Sequence, residues 1–327
     1  MRVLSGIQPT GKLHLGNYLG AMKQHIEAQE ENECLFFIAN YHSLTSIQEP
    51  ERLRELTRDV AIDYLAFGLD PNKASLFRQS DIPEVTELTW ILSTVTGRGL
   101  LERAHSYKDK VARGLPASMG LFCYPVLMAA DILIYRSDVV PVGKDQVQHI
   151  EMAQDMAGYF NNTFNCNALK RPEPRLNRAM VVPGVDGQKM SKSYGNTIPL
   201  FEAAKATRKI IMSIKTDSKT VQEPKDPDSC TVFALYSLLA DPAEVAELDR
   251  RYRAGGMGYG EAKTMLADRA ERVLGPARER REQLVKDPDF VEDVLRRGAG
   301  KARSIAREVM AGVREACGLL VAKDTHA

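Results

Sequence analysis

Cys34-Leu35-Phe36-Phe37-Ile38-Ala39 runs for six residues without a polar break. A strand with one wet face alternates apolar and polar side chains. A strand apolar at every position is buried on both faces, as in a parallel sheet covered by helices. The flanking sequence agrees. Residues 2–7 predict a first strand, broken by the turn Gln8-Pro9-Thr10-Gly11. Residues 16–29 predict a helix with Leu19, Met22 and Ile26 on one side. Residues 50–67 predict another, with Pro50 in its first turn. A strand at 75–78 and a helix at 84–95 follow. Strand and helix alternate, so the first third reads as α/β with a parallel sheet.

Beyond residue 97 the pattern changes. Residues 97–115 are polar and basic with scattered glycine, and 120–135 predict a largely buried helix. Residues 138–142 return to strand character, and Gly143-Lys144-Asp145-Gln146 opens a helix running to about 160. Residues 181–184 predict a short strand leading into Lys189-Met190-Ser191-Lys192-Ser193, a polar loop flanked by Gly187 and Gly195. After Glu202 nearly every stretch is helical: 202–214, 231–239, 242–253, 260–274, 277–285 and 300–317. A second, all-α region therefore follows the α/β part. With 327 residues, 44% hydrophobic, the chain is long enough for more than one domain.

No window approaches the roughly 18 apolar residues of a membrane helix; the nearest, 121–135, carries Asp131. The opening Arg2-Val3-Leu4 predicts no secretory leader. Cys34, Cys123, Cys166, Cys230 and Cys317 are widely spaced and odd in number, which argues against a disulfide framework or a zinc site. The expected compartment is cytoplasmic, with no membrane partner. Net charge is +1 but unevenly spread. Residues 168–219 hold 11 lysines and arginines against 4 aspartates and glutamates. Residues 98–113 also lean positive, through Arg98, Arg103, Lys108, Lys110 and Arg113. Such patches steer a polyanion onto an otherwise neutral protein, although for any single lysine a solvated face is the simpler account.

Two segments carry chemistry. His14 and Asn17 lie one turn apart at a helix start, after a turn containing glycine. Unpaired N–H groups and the positive dipole end meet phosphate there, and Gly11 and Gly16 let an anion approach the backbone. Taken alone, the string is more often a capped surface helix. Lys189 to Ser193 is far more specific, with two lysines three apart and Ser191 and Ser193 beside them, suited to polyphosphate oxygens. No Walker A loop occurs. Together the two segments predict a site that grips a nucleoside triphosphate from two sides. Asp131 interrupts an apolar helix, and Tyr124, Met128 and Asp131 share one face of it. Its carboxylate needs a donor: a flat ligand with one N–H, such as indole, or a neighbouring segment that it caps.

These strings resemble the class I aminoacyl-tRNA synthetases and, among them, the bacterial tryptophanyl-tRNA synthetases. Ser5 through Ala21 is similar to that family's opening, with Asn17 in place of the class's final histidine. Lys189 to Ser193 matches the second signature. Val139-Val140-Pro141-Val142-Gly143, then Asp145, Gln146 and Gln148-His149-Ile150-Glu151, match further, and the likeness covers essentially the whole chain. It implies a Rossmann-like catalytic domain over 1–201, with an insertion and dimerisation region at about 97–182. It implies a helical anticodon-recognition region over 202–327. His14, Asn17, Lys189 and Lys192 are the implied catalytic residues. Gln8, Pro9, Thr10, Gly16, Asn17, Gly143, Lys144, Asp145, Val182 and Lys189 through Ser193 (with Met190, Ser191 and Lys192) are the implied ATP contacts. Leu4, Gly6, His42, Tyr124, Met128, Asp131 and Gln146 are the implied tryptophan pocket. Leu4 departs from the phenylalanine of many relatives, and Tyr194-Gly195-Asn196 departs from an aspartate that often follows the last serine.

The implied reaction activates L-tryptophan with ATP, releases pyrophosphate and transfers the amino acid to the 3′ end of tRNA(Trp), with Mg²⁺ carried by ATP and no dedicated protein metal site. A homodimer is expected. Rival readings are a tyrosyl-tRNA synthetase, whose phenol O–H Asp131 would also accept, and a paralogue that binds tRNA or protein without aminoacylating.

Overall fold

The computed structural model describes residues 1–103, 118–143, 146–176 and 181–319. Its centre is a five-stranded sheet in the order β3-β2-β1-β4-β5. The strands are β1 at Arg2–Ile7, β2 at Glu33–Ile38, β3 at Ala74–Arg78, β4 at Val139–Val142 and β5 at Glu173–Leu176. All the pairings are parallel. The apolar run of β2 divides between two cores: Cys34, Phe36 and Ile38 join one, Leu35 and Phe37 the other. One face is covered by a helical run over 15–28 (α1) and by α2 at Pro50–Ala66. The other is covered by α3 at Glu84–Val95, α4 at Met119–Leu133 and α5 at Val147–Thr163. This is the Rossmann-like arrangement expected. Strands β4 and β5 come from the 97–182 stretch, so that stretch shares the sheet and its core.

Strands β1 and β2 pair over six residues, but β1 and β4 meet only at Val3↔Val139. The strand order reverses at that junction. Toward their carboxyl ends the two strands part, opening the crevice in which ligands of such sheets collect.

Beyond the sheet lie α6 at Ala204–Met212, α7 at Thr231–Leu239, α8 at Pro242–Ala254, α9 at Tyr259–Lys286 and α10 at Pro288–Ala316. Two boundaries differ from the sequence reading. Residues 260–285 form one helix through Pro276, because Ala267, Ala270, Leu274, Ala277 and Leu284 keep one continuous buried face; tertiary burial outweighs proline's local cost. The last helix begins at Pro288 rather than Gly300, with the Asp287 side chain accepting from the Phe290 N–H at 3.1 Å. Gly298 belongs inside it. A Cβ there would lie 2.1 Å from the Leu76 carbonyl oxygen, so helix backbone rests on β3 backbone. Val291, Val294 and Leu295 of α10 enter one core, whereas Ala302, Ala306, Val309, Met310 and Val313 enter the other. The helix therefore passes the free edge of β3. Arg303 and Arg307 on Glu84, and Arg314 on Glu87, fasten it to α3. Arg281 of α9 is likewise fastened to Asp59 and Asp63 of α2, each at 2.7 Å. Among the described residues no helix is long and apolar enough to cross a membrane.

Candidate active site

β1 ends at Ile7, and the chain turns with Gly11 at φ +117°, a left-handed value that favours glycine. His14 then caps α1, which comprises Leu15–Asn17, a π-helical segment Tyr18–Met22 and Lys23–Ala28. Asn17 Oδ1 accepts from the His14 backbone N–H at 3.0 Å, which leaves the Asn17 NH₂ as a donor. His14 is buried, and its Nδ1 has no partner among the described residues. Burial first, then the Lys192 charge, lowers its pKa to about 4. The ring is therefore neutral at pH 7.

The Lys189 segment arrives beside this helix start. The Gly16 N–H lies 3.2 Å from Met190 Sδ. A Cβ on Gly11 would stand 3.5 Å from Lys192 Nζ. The loop is not entered by a strand: residues 181–184 make a single antiparallel bridge, Pro183↔Lys189, beside the Met190 N–H to Val182 carbonyl bond of 2.9 Å. Asn196, noted above only as a departure, braces the loop from inside. Its Oδ1 accepts from the Ser191 N–H at 2.8 Å, and its Nδ2 donates to Asp186 at 2.7 Å and to the Lys189 carbonyl at 3.2 Å. Desolvation, helped by the Arg52 charge, depresses the pKa of Lys192.

Two cavities adjoin along α1. The smaller, about 310 Å³, is lined by Thr10, His14, Gly16, Asn17, Val182 and Lys189 through Lys192. The larger, about 580 Å³, lies in the β1–β4 crevice and is lined by Leu4, Gly6, Gln8, His42, Tyr124, Met128, Asp131, Gly143 and Gln146, among others. Thr10 and Asn17 line both. Gly6 matters by its size: a Cβ there would fall 2.5 Å from the Phe37 ring, which also lines the larger cavity.

Asp131 is buried at 1% exposure. The sequence offered a ligand N–H or a capped segment as its partner, and the structure shows two side-chain donors already in place on it. His42 Nε2 lies 2.9 Å from Oδ2, and Gln79 Nε2 lies 2.8 Å from both oxygens. Burial raises the carboxyl's pKa, and His42 and Gln79 oppose that rise. The sequence reading did not find Gln79, nor the Tyr124 Oη to His149 Nε2 bond of 2.9 Å across the same cavity.

Other expected residues sit further out. Pro9 is buried behind the turn. Ser193 is exposed, with its Oγ 2.8 Å from Ser191 Oγ. Lys144 and Asp145, and the basic residues Lys108, Lys110 and Arg113, lie outside the described residues. Arg250, Arg251 and Arg253, which the sequence suggests as a basic face on α8, are each ion-paired, to Glu247, Glu261 and Asp249.

A parallel sheet that splits at its switch point, with a His-x-Gly-Asn helix start against a Lys-Met-Ser-Lys-Ser loop, defines a class I aminoacyl-tRNA synthetase. The sequence profile described as "tRNA synthetases class I (W and Y)" matches residues 1–275. The chain is 56% identical to the tryptophan–tRNA ligase of Rhodopirellula baltica, over 98% of this chain and 100% of that one. It is 53% identical to that of Fusobacterium nucleatum, over 98% of each. The crystal structure of the Campylobacter jejuni tryptophanyl-tRNA synthetase complexed with ADP and tryptophan superposes with a TM-score of 0.91 at 49% identity, covering 98% of this chain and 100% of that one. The chain belongs to the bacterial tryptophanyl-tRNA synthetases.

Proposed function

We propose that the two adjoining cavities form one reaction site, tryptophan in the larger and the ATP phosphates in the smaller, for the ligation of tryptophan to tRNA(Trp). The observation that carries this reading is their common wall at Thr10 and Asn17. Groups bound on either side of that wall meet at it, as a carboxylate and an α-phosphorus must.

In the first step the tryptophan carboxylate attacks the α-phosphorus, forming tryptophanyl-adenylate as pyrophosphate leaves. In the second, the terminal ribose hydroxyl of tRNA attacks the adenylate carbonyl and AMP leaves. The carboxylate is already a competent nucleophile, so the protein contributes alignment and charge neutralisation. Lys189 and Lys192 face the departing pyrophosphate. The Asn17 NH₂ and the neutral His14 ring hold the transferring phosphoryl by hydrogen bonds, and the Gly16 N–H adds a third donor once it leaves Met190. Mg²⁺, bound by ATP itself, supplies further charge on the phosphates. In the larger cavity Asp131 reads the indole N–H beside Met128, and Tyr124, Gln146 and His42 complete the surround.

The helical region after residue 202 takes the anticodon part of the tRNA. A two-fold homodimer pairs through the 97–182 region, where Met119 is 72% exposed, and Trp90, on the helix α3 packed against α4, is exposed to the same degree. The site is cytoplasmic. Pyrophosphate exchange into ATP, measured with each of the twenty amino acids and Mg²⁺, tests the assignment. Exchange with tryptophan is expected. Exchange with tyrosine alone overturns the substrate, and none at all overturns the reaction.

A further inference from the structure

Gln79 is fully buried. It follows β3 at the carboxyl edge of the sheet, in the single 3₁₀ turn Gln79–Asp81. The Tyr41 N–H donates to its Oε1 at 3.0 Å, which fixes the amide so that Nε2 faces Asp131. Equal distances of 2.8 Å to Oδ1 and Oδ2 put that nitrogen on the carboxylate's axis. His42 takes Oδ2 from the side. The two loops bearing these donors are tied to each other: the Ser80 N–H donates to Asn40 Oδ1 at 3.1 Å, and Asn40 Nδ2 donates to Ser80 Oγ at 2.8 Å. An ionised carboxylate has about four lone-pair directions. His42 uses one on Oδ2 and Gln79 is shared, so Oδ1 keeps the larger capacity.

We propose that Gln79 is a positioning residue for amino-acid selection: it locks the Asp131 carboxylate in one orientation and leaves Oδ1 to a ring N–H of the ligand. This rests on the assignment of Asp131 to the indole. Gln79 acts through Asp131 and need not touch the ligand. An ordinary core glutamine would affect every ligand of the pocket alike, whereas a positioning residue affects only ligands that carry the N–H.

The test uses the full chain and two amino acids, tryptophan and β-(3-benzothienyl)alanine, in which sulfur replaces the ring N–H. KM for each is measured by pyrophosphate exchange for wild type, Gln79→Met and Gln79→Glu. In Gln79→Met the tryptophan KM should rise roughly tenfold, as for loss of support to a charged hydrogen bond, while the benzothienyl KM changes by less than about twofold. The ATP KM should not move. In Gln79→Glu two carboxyls share one site, so they hold a proton between them at low pH and repel at high pH. The tryptophan-to-analogue KM ratio should therefore climb with pH relative to wild type. Equal rises for both ligands in Gln79→Met overturn the proposal. If that variant does not fold, a ratio in Gln79→Glu that tracks wild type across pH overturns it. A wild-type enzyme with no preference for tryptophan over the analogue would instead overturn the Asp131 assignment itself.

Discussion

The Gly16 N–H rests 3.2 Å from Met190 Sδ, joining two segments 174 residues apart. Thioether sulfur is a weak acceptor, so this contact brings the Lys189 loop to the helix start without committing the donor. A phosphate oxygen is a far better partner and displaces it. The loop is therefore poised beside the site, stiffened by Asn196 and moored to the helix start just beyond it, where the Leu15 N–H donates to the Ile198 carbonyl at 2.8 Å.

Lys192 is expected to act on the departing pyrophosphate. Lys192→Ala should slow adenylate formation about 10²-fold, on the order of 3 kcal/mol, with tryptophan affinity little changed. Rapid-quench measurement of the first turnover checks this. An unaltered rate would reduce the loop to a cover.

Asp131→Ala and Asp131→Asn should part company. Alanine leaves the buried Gln79 donor and the partly buried His42 donor without their acceptor and removes the partner of the indole, so most discrimination between tryptophan and phenylalanine should vanish. Asparagine keeps one carbonyl acceptor and should retain part of it. Identical selectivity in wild type and Asp131→Ala would leave Asp131 a purely structural group.

Gly6→Ala should injure the tryptophan side alone. The new methyl would meet the Phe37 ring at 2.5 Å, and the ring can yield only into the tryptophan cavity that it lines. The tryptophan KM should rise at least tenfold, a cost of overpacking on the order of 1–3 kcal/mol, while the ATP KM holds. A parallel loss of ATP affinity would place Gly6 nearer the wall shared by the cavities.

The strands were legible because apolar runs buried on two faces have few other uses. Strand β5 was not: Glu173-Pro174-Arg175-Leu176 lies at the sheet's edge, where proline is tolerated and one side stays polar. The break expected at Pro276 follows a sound local rule that long-range burial overrode. The His14 and Lys189 segments announced themselves by composition. Gln79 could not, because its partner lies 52 residues away, and nothing local marks a buried glutamine as different from an exposed one. Asn196 was visible only as an unexplained substitution until its three hydrogen bonds were seen.

Acid should destabilise the fold through its buried histidines. Burial lowers His25, hydrogen-bonded to Tyr64 at 3.0 Å, to about 4 from an ordinary 6.5. The unfolded chain takes up that proton as pH falls through 6.5, but the folded chain does so only near 4. The stabilisation is thus complete above pH 6.5 and is lost on descent to about 4, at most about 3 kcal/mol; His14 acts in the same direction. Urea unfolding between pH 4 and 7.5 should show this slope, and His25→Phe should flatten it. The slope is diagnostic rather than the absolute stability, since phenylalanine also strands the Tyr64 hydroxyl. An unchanged slope would assign the acid sensitivity elsewhere.

Trp90 is the chain's single tryptophan, and its exposure beside the region proposed for pairing makes it the natural reporter of a dimer. Sedimentation at micromolar concentration should give a dimer mass, and Trp90 emission should shift to the red on dilution. Trp90→Glu should yield a monomer. A monomeric wild type with emission independent of concentration would contradict the proposed interface.

The passage of α10 across the edge of β3 also sets a schedule for biosynthesis. β3 emerges early, yet the helix that covers its free edge is made more than two hundred residues later, a wait of roughly 10–50 s at ordinary translation speeds. Throughout that interval the nascent sheet presents an unpaired edge, the kind that recruits foreign strands, so it needs shelter from the ribosome or a chaperone. Stalled or prematurely terminated chains are left with an open sheet. An enzyme that serves translation thus completes its catalytic half only after some two hundred further residues of its own translation.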